Sequence, residues 1–144
     1  MGGFELARFV EVQAPVYGQA LAELSQGRKE SHWMWFVFPQ LAGLGRSETA
    51  RFYGIVGEGE ARAYLDHPLL GPRLVECTAA VIAHRGRAAE AIFGAVDAMK
   101  FRSSMTLFEA LAAEPAPFAE ALKLFYGGAS DEATLRLLAA AARV

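Results

Sequence analysis

SHWMWFVFPQ, residues 31–40, contains both tryptophans of the chain, one histidine and two phenylalanines. Within this stretch, residues 33–38 form the one segment whose pattern could suit a β-strand. The rest of the chain offers no partner strand, and an isolated strand is unstable. Apolar residues elsewhere recur at helical spacing, and wide rings on more than one face predict that this segment runs through the interior. We therefore predict an all-α fold.

The predicted helices have recognisable start and stop signals. Ser47 can cap a short helix over Glu48–Tyr53, and the longest clean helix is predicted from Pro68 to about His84. Ser130, with the two acids that follow it, is predicted to cap a last helix over Ala133–Arg143. We expect a compact orthogonal bundle of about seven short-to-medium helices.

Length and composition limit the class of protein. The chain has 144 residues, of which 53% are hydrophobic, so we expect residues 1–144 to form a single helical domain. The net charge is -2, and the longest basic cluster is Arg28–Lys29, which disfavours nucleic-acid binding. No apolar run is long enough to predict a membrane span, and the first residues do not resemble a signal peptide. Cys77 is the only cysteine and is predicted to be a buried thiol; we expect a cytoplasmic protein.

Residues 31–40 also provide the first candidates for chemistry. If the segment is helical, His32, Trp35 and Phe36 share one face, and His32 would be at least partly desolvated. Two interpretations of His32 stay open: a neutral core histidine bonded to backbone, or a pocket residue that binds a ligand or transfers a proton. Trp33 and Trp35 suit either ordinary packing or the stacking of a planar ligand.

A second cluster, DAMKFRSSMT at residues 97–106, lies in a predicted helix. Serine and threonine are weak helix formers, so three of them within four mid-helix positions need a reason. One reason is a polar seam where this helix crosses another closely. The other is an anion site, in which the cations of Lys100 and Arg102 act together with the hydroxyls of Ser103 and Ser104.

The third candidate segment is QLAGLGRS, residues 40–47, whose glycines permit a tight loop. Arg46 and Ser47 stand at a helix start, where free backbone N–H groups favour anions. The segment lacks the lysine and the spacing of a phosphate-binding loop. No Cys or His spacing indicates zinc, and the three histidines are scattered, so we predict no metal site and no cofactor.

Four long strings carry a resemblance to a known family: FVEVQAPVY at 9–17, SHWMWFVFPQLAGLGRS at 31–47, EARAYLDHPLLGPRL at 60–74 and KFRSSMTLF at 100–108. The chain resembles an uncharacterised bacterial family, domain of unknown function 1810, some of whose members are labelled calpastatin. The resemblance covers nearly the whole chain. It implies a single, mainly α-helical domain and implies no established activity, substrate or cofactor.

These observations lead to one main hypothesis and one alternative. We expect a domain that binds a small anionic ligand, nucleotide-like or phosphorylated, in a pocket walled by Trp33, Trp35 and Phe36. The polar lining is predicted to come from these residues: His32, Gln40, Arg46, Ser47, Lys100, Arg102, Ser103 and Ser104. His32 is the candidate general acid or base, and the sequence leaves open whether the domain is an enzyme. The alternative is a noncatalytic protein-interaction module or a structural subunit of a homo-oligomer, which predicts an exposed apolar patch and no such pocket.

Overall fold

Helices account for the regular structure of the chain. The structure, a computed structural model, describes residues 4–142, and in this range it has ten helices: α1 Ala7–Gln13, α2 Tyr17–Gln26, α3 Met34–Val37, α4 Glu48–Tyr53, α5 Glu58–Asp66, α6 Leu70–Ile82, α7 Ala89–Phe93, α8 Ala95–Leu111, α9 Ala116–Tyr126 and α10 Glu132–Ala142. Over the same residues it has no β-strand, and an isolated bridge pairs Leu41 with Ile55. The all-α prediction is confirmed. The helices outnumber the predicted seven, and three of them, α3, α4 and α7, have only four to six residues each.

Side-chain caps explain where two of the helices begin. α4 spans the predicted residues, and Ser47 Oγ accepts the backbone N–H of the third helical residue at 3.1 Å. Of the three residues predicted at the start of α10, one acts as its cap. Asp131 caps this helix in place of Ser130, because its carboxylate accepts the backbone N–H of Thr134 at 3.1 Å. The predicted end of α10 at Arg143 lies outside the described residues.

The aromatic stretch enters the core, as predicted. It forms a single helical turn, α3, and not a strand or a long helix. Trp33 precedes this turn and is only 1% exposed. Phe38 follows it, and its ring lies edge-on to Phe101 of α8, with 4.9 Å between the centroids. The segment therefore ties the loop before α3 to the longest helix of the protein.

α8 lies at the centre of the packing. Phe101, Met105 and Phe108 are fully buried along one side of this 17-residue helix. Phe101 stacks on Phe93 of α7 at 4.8 Å, and Phe108 contacts Tyr64 of α5 at 5.5 Å. These contacts anchor the backbone of α8 at both of its ends, and they therefore set the direction in which its other faces point.

Two further predictions concern the remaining core and the membrane. Cys77 is fully buried in α6, as predicted. Within residues 4–142, no helix combines the length and the apolar character needed to cross a lipid bilayer.

Candidate functional site

A buried carboxylate on α2 organises the segment between α2 and α3. Glu23 is 3% exposed and accepts hydrogen bonds from the backbone N–H groups of Glu30 and Ser31 at 2.8 and 3.0 Å. It also accepts the Ser31 hydroxyl at 2.6 Å, the Trp33 indole N–H at 2.9 Å and the Gln19 amide at 2.9 Å. Burial alone raises the pKa of Glu23, but these hydrogen bonds outweigh it and hold the pKa far below its ordinary value. The charged form of Glu23 therefore fixes residues 30–33 against α2.

This fixed segment brings Lys29 to the first turn of α8. The Lys29 ammonium lies 2.8 Å from Asp97 Oδ2 and donates to the Ser31 carbonyl at 2.7 Å. Lys100 contacts the other oxygen, Asp97 Oδ1, at 3.2 Å. Burial raises the pKa of Asp97, but hydrogen bonds and charge from the two lysines outweigh it and hold the pKa below its ordinary value. Two ammonium groups thus converge on one carboxylate, and the three groups together carry one net positive charge.

The two tryptophans have different relations to these lysines. Lys100 Nζ lies 4.0 Å from the ring centroid of Trp35, which is half-buried. Lys29 Nζ lies 5.1 Å from the ring of Trp33, which belongs to the core. At such distances an ammonium is attracted to the face of an indole. Trp35 is therefore the aromatic wall that a ligand can reach, whereas Trp33 supports the site from inside.

The lysines and aromatic rings border a first cavity of about 320 Å³. Its lining comes from the segment before α3, from α3 itself, from α4 and from the start of α8: Lys29, His32, Trp33, Trp35, Phe36, Thr49, Asp97 and Lys100 are among the lining residues. His32 is exposed at the rim, so the interpretation as a buried core histidine is wrong. The other two histidines bond backbone groups elsewhere: His67 accepts N–H groups at the start of α6, and His84 contacts carbonyls at the end of α2.

A second cavity, of about 370 Å³, adjoins the first and shares Trp35 and Lys100 with it. It lies between α3, the loop after α3, α8 and the start of α10, and its lining includes Gln40, Leu44, Val96, Met99 and Ser103. Gly45 also lines it. A Cβ atom on Gly45 would lie 2.7 Å from the Ala50 Cβ, so the loop can pack this closely against α4 only because this residue has no side chain; the Trp35 ring would lie at an ordinary contact distance of 3.6 Å.

Several predicted site residues therefore come together. His32, Trp35 and Lys100 surround the first cavity, and Gln40 and Ser103 line the second. These residues come from two distant segments of the chain, residues 31–40 and residues 97–106, so their convergence follows from the fold. Ligand binding by them stays a prediction.

Three other predicted residues have structural partners or lie apart from the cavities. Arg46 and Ser47 are exposed, and Ser47 is the cap of α4. Arg102 donates to the backbone carbonyls of Ala129 and Ser130 at 2.9 and 3.0 Å. Its guanidinium holds the loop before α10 and lines neither of the two cavities.

Two hydroxyl groups of α8 join this helix to the start of α10, in agreement with the polar-seam interpretation. Ser103 Oγ donates to the Asp131 carboxylate at 3.2 Å, and Thr106 Oγ1 accepts the backbone N–H of Asp131 at 2.9 Å. These contacts join α8 to the cap of α10. Ser104 is fully buried, and its Oγ has no hydrogen-bond partner among the described residues, so it does not face a ligand in either cavity.

Sequence reasoning missed Glu23 and Lys29. A signal for Glu23 exists: it lies at helical spacing between the buried residues Ala20 and Leu24, and an acid on the apolar side of a helix needs polar partners. Lys29 has no comparable signal, because its contact with Asp97 joins residues 68 positions apart. Asp97 was predicted as part of the α8 cluster, without its pairing to Lys29.

The largest cavity, of about 560 Å³, lies elsewhere and differs in chemistry. Its most exposed apolar residues are Phe52 and Val56, at 58% and 71%. Two cations, Arg8 and Arg51, and two carboxylates, Glu5 and Glu60, line it. Arg8 forms an ion pair with buried Glu60 at 2.8 Å and donates to the Phe52 carbonyl at 2.7 Å. Because the formal charges that line this cavity sum to zero, whereas those of Lys29, Lys100 and Asp97 sum to one positive charge, the first cavity beside Trp35 is the better anion site.

Comparisons with known proteins agree with the fold. A family model described as a protein of unknown function (DUF1810) matches residues 3–138. Among solved structures, the chain is similar to the crystal structure of the conserved hypothetical protein Rv1873 from Mycobacterium tuberculosis, with a TM-score of 0.93 and 54% sequence identity. That similarity covers 94% of this chain and 97% of the mycobacterial chain. No curated protein matches the chain. The resemblance stated from the four sequence strings is confirmed, and the chain belongs to the DUF1810 family.

Proposed function

We propose that the site formed by Lys29, Lys100 and Trp35 binds a small anionic ligand, nucleotide-like or phosphorylated. The observation that carries this proposal is the convergence of two lysines from distant parts of the chain beside an accessible indole. The lysine side chains are 9% and 20% exposed, so an anion there would meet cations that are partly shielded from water. The one net positive charge of the site favours an anion over a neutral or cationic ligand.

His32 adds a titratable group to the rim of the same cavity. Its imidazole could act as a general acid or base toward a ligand held by the two lysines. We propose binding and no reaction, because we assign no second acid or base beside His32. We also propose a cytoplasmic location; the support is a single cysteine, which is buried in the core and offers no disulfide.

Calorimetric titration with inorganic phosphate and with adenosine 5′-monophosphate tests the proposal. Lys29→Met and Lys100→Met keep most of the aliphatic stem and remove the charge. Each is expected to weaken binding at least about tenfold, the usual effect of losing one charge-assisted hydrogen bond. Lys123→Met is the matched control, because Lys123 is the third lysine of the chain, is exposed and lines neither cavity.

Three outcomes distinguish binding at the two lysines from a response to net charge and from no binding. Binding that is lost in both site variants and kept in Lys123→Met supports the proposal. Equal weakening in all three variants would mean that phosphate responds only to net charge, and the site assignment would then be wrong. Absence of binding to the wild-type protein by either probe at millimolar concentration would also reject it.

A second candidate function is protein interaction, and one observation favours it. Phe4, Phe52 and Val56 are 45%, 58% and 71% exposed around the largest cavity, and clustered apolar surface of this kind often marks a contact with another protein. Sedimentation velocity distinguishes a homo-oligomer. If Phe52→Ser converts a dimer into a monomer while phosphate binding is unchanged, this surface is an interface independent of the anion site.

A further inference from the structure

The second cavity beside Trp35 has apolar walls that the anion site alone does not require. Leu44 lines it from the loop after α3, and Val96 and Met99 line it from α8. Val96 is 67% exposed and Met99 is 71% exposed, although both occupy the helix that anchors the core. These two residues expose apolar surface to water beside the cavity, and a bound ligand could cover that surface.

Helical geometry explains why these residues accompany Lys100. Positions 96, 99, 100 and 103 fall at spacings of three and four along α8 and therefore share one face. The first turn of this face presents Val96 and Met99, and the next presents Lys100 and Ser103. A ligand along this face would meet a cation and apolar side chains at the same time.

The position of Lys100 over the Trp35 ring bears on whether the apolar part of the ligand is a flat base or an alkyl or acyl group. The Lys100 ammonium already lies over the indole face, 4.0 Å from its centroid. A flat base that stacked on this face would have to displace the ammonium. The other apolar walls, Leu44, Val96 and Met99, are aliphatic side chains, against which an alkyl or acyl group can pack without displacing the ammonium.

We propose that the ligand is an amphiphilic anion, with its phosphate or carboxylate at Lys29 and Lys100 and a short alkyl or acyl group in the second cavity against Leu44, Val96 and Met99. This inference rests on the proposed function and narrows it from nucleotide-like ligands to alkyl or acyl anions. The two cavities share Trp35 and Lys100, so an anion bound at Lys100 would lie at the border of both. The second cavity, at about 370 Å³, lies within the range of small-molecule sites.

Calorimetric titration with hexyl phosphate, inorganic phosphate and 1-hexanol tests the inference. We expect hexyl phosphate to bind at least about tenfold more tightly than inorganic phosphate, because burial of about two methylene groups is sufficient for that gain. The double variant Val96→Ser, Met99→Ser should lose this gain and bind inorganic phosphate as the wild type does. Both residues are exposed, so the variant is expected to fold.

Phe52→Ser is the matched control, since Phe52 is a similarly exposed apolar residue on the largest cavity. Suppose that Phe52→Ser abolishes the tighter binding of hexyl phosphate over inorganic phosphate and the α8 double variant does not. The alkyl group would then bind in the largest cavity, and the inference would be overturned. Equal affinity for hexyl phosphate and inorganic phosphate overturns the inference and leaves the proposed function intact. If neither hexyl phosphate nor inorganic phosphate binds, both the inference and the proposed function are rejected. Both are also rejected if 1-hexanol and hexyl phosphate bind equally and inorganic phosphate does not bind.

A further experiment separates a free metabolite from a membrane lipid, because both sources contain alkyl or acyl anions. The protein is sedimented with vesicles of phosphatidylglycerol and phosphatidylcholine, with and without hexyl phosphate. We expect the protein to stay in the supernatant. Sedimentation with the vesicles that hexyl phosphate reverses would mean that a lipid occupies this site, and it would overturn the assignment of a small soluble ligand.

Discussion

Replacement of Glu23 by glutamine tests the buried group on which the site geometry depends. Glu23 Oε1 accepts three N–H groups, and Oε2 accepts the Ser31 hydroxyl and the Gln19 amide. Glutamine retains one carbonyl oxygen, which can still face the three N–H groups, and the Ser31 hydroxyl can rotate to accept from the new NH₂ group. The exposed Gln19 amide can turn its oxygen toward the new NH₂ group, so the loss is mainly the charge assistance of these hydrogen bonds. We expect Glu23→Gln to lower the free energy of unfolding by about 2–3 kcal/mol.

The pH dependence provides a second and independent measure of the same group. Burial raises the pKa of Glu23, and the hydrogen bonds lower it further than burial raises it, to well below the ordinary value of 4.5. A depressed pKa in the folded state stabilises the protein above the unfolded-state pKa, and this stabilisation is lost as the pH falls toward the folded-state pKa. Below pH 4.5 the wild type should therefore lose roughly 1.4 kcal/mol per pH unit from this group, and Glu23→Gln should not.

Urea unfolding followed by tryptophan fluorescence measures both effects, at pH 7 and at pH 3.5. Trp33 reports directly on the site, because its indole N–H donates to Glu23. Glu30→Gln is the matched control: its side chain is 63% exposed and its one ion pair, with Arg28, is 3.9 Å long. A difference between wild type and Glu23→Gln below about 0.5 kcal/mol at pH 7, or a difference that is the same at both pH values, would refute the reasoning.

Three further predictions use the same protein and the same assays. Asp97→Asn raises the charge of the lysine cluster by one, and we expect tighter phosphate binding in calorimetry together with a loss of about 1–2 kcal/mol of stability in urea; weaker phosphate binding would show that Asp97 positions the lysines. Arg102→Ala should leave phosphate affinity unchanged and lower stability by about 1–3 kcal/mol, because the carbonyls of Ala129 and Ser130 lose their donor. Ser104→Ala should be neutral or stabilising by up to about 1 kcal/mol, since a buried hydroxyl without a partner is removed; a clear loss of stability would contradict this.

Much of the fold could be predicted because helix ends depend on local chemistry. Ser47 caps α4 where a capping residue was predicted, and Gly27 ends α2 in the left-handed conformation, with φ of 77°, that glycine adopts easily. The aromatic segment was harder, because its conformation depends on a distant partner. The Trp33 indole N–H donates to Glu23, ten residues earlier, and only one turn of helix, α3, follows.

The site could be predicted only in part, and helix geometry explains which part. Lys100 and Arg102 were both assigned to the anion site, yet two positions along a helix correspond to a rotation of about 200°. Their side chains therefore point to opposite sides of α8, and Arg102 faces the loop before α10. Ser103 lies three positions from Lys100 and remains on its face. The second cation, Lys29, comes from another part of the chain, and no local pattern predicts its arrival at Asp97.

The position of Asp97 has a consequence for what the site can bind. Its carboxylate occupies the point on which the two lysines converge, so it neutralises one of two closely spaced cations. An incoming anion must share the lysines with Asp97 or displace it, and electrostatic attraction alone therefore gives little affinity. A ligand that also covers Val96 and Met99 gains apolar burial that Asp97 cannot provide. For this reason, the exposed apolar face of α8 and the internal carboxylate together favour an amphiphilic anion over a simple inorganic one.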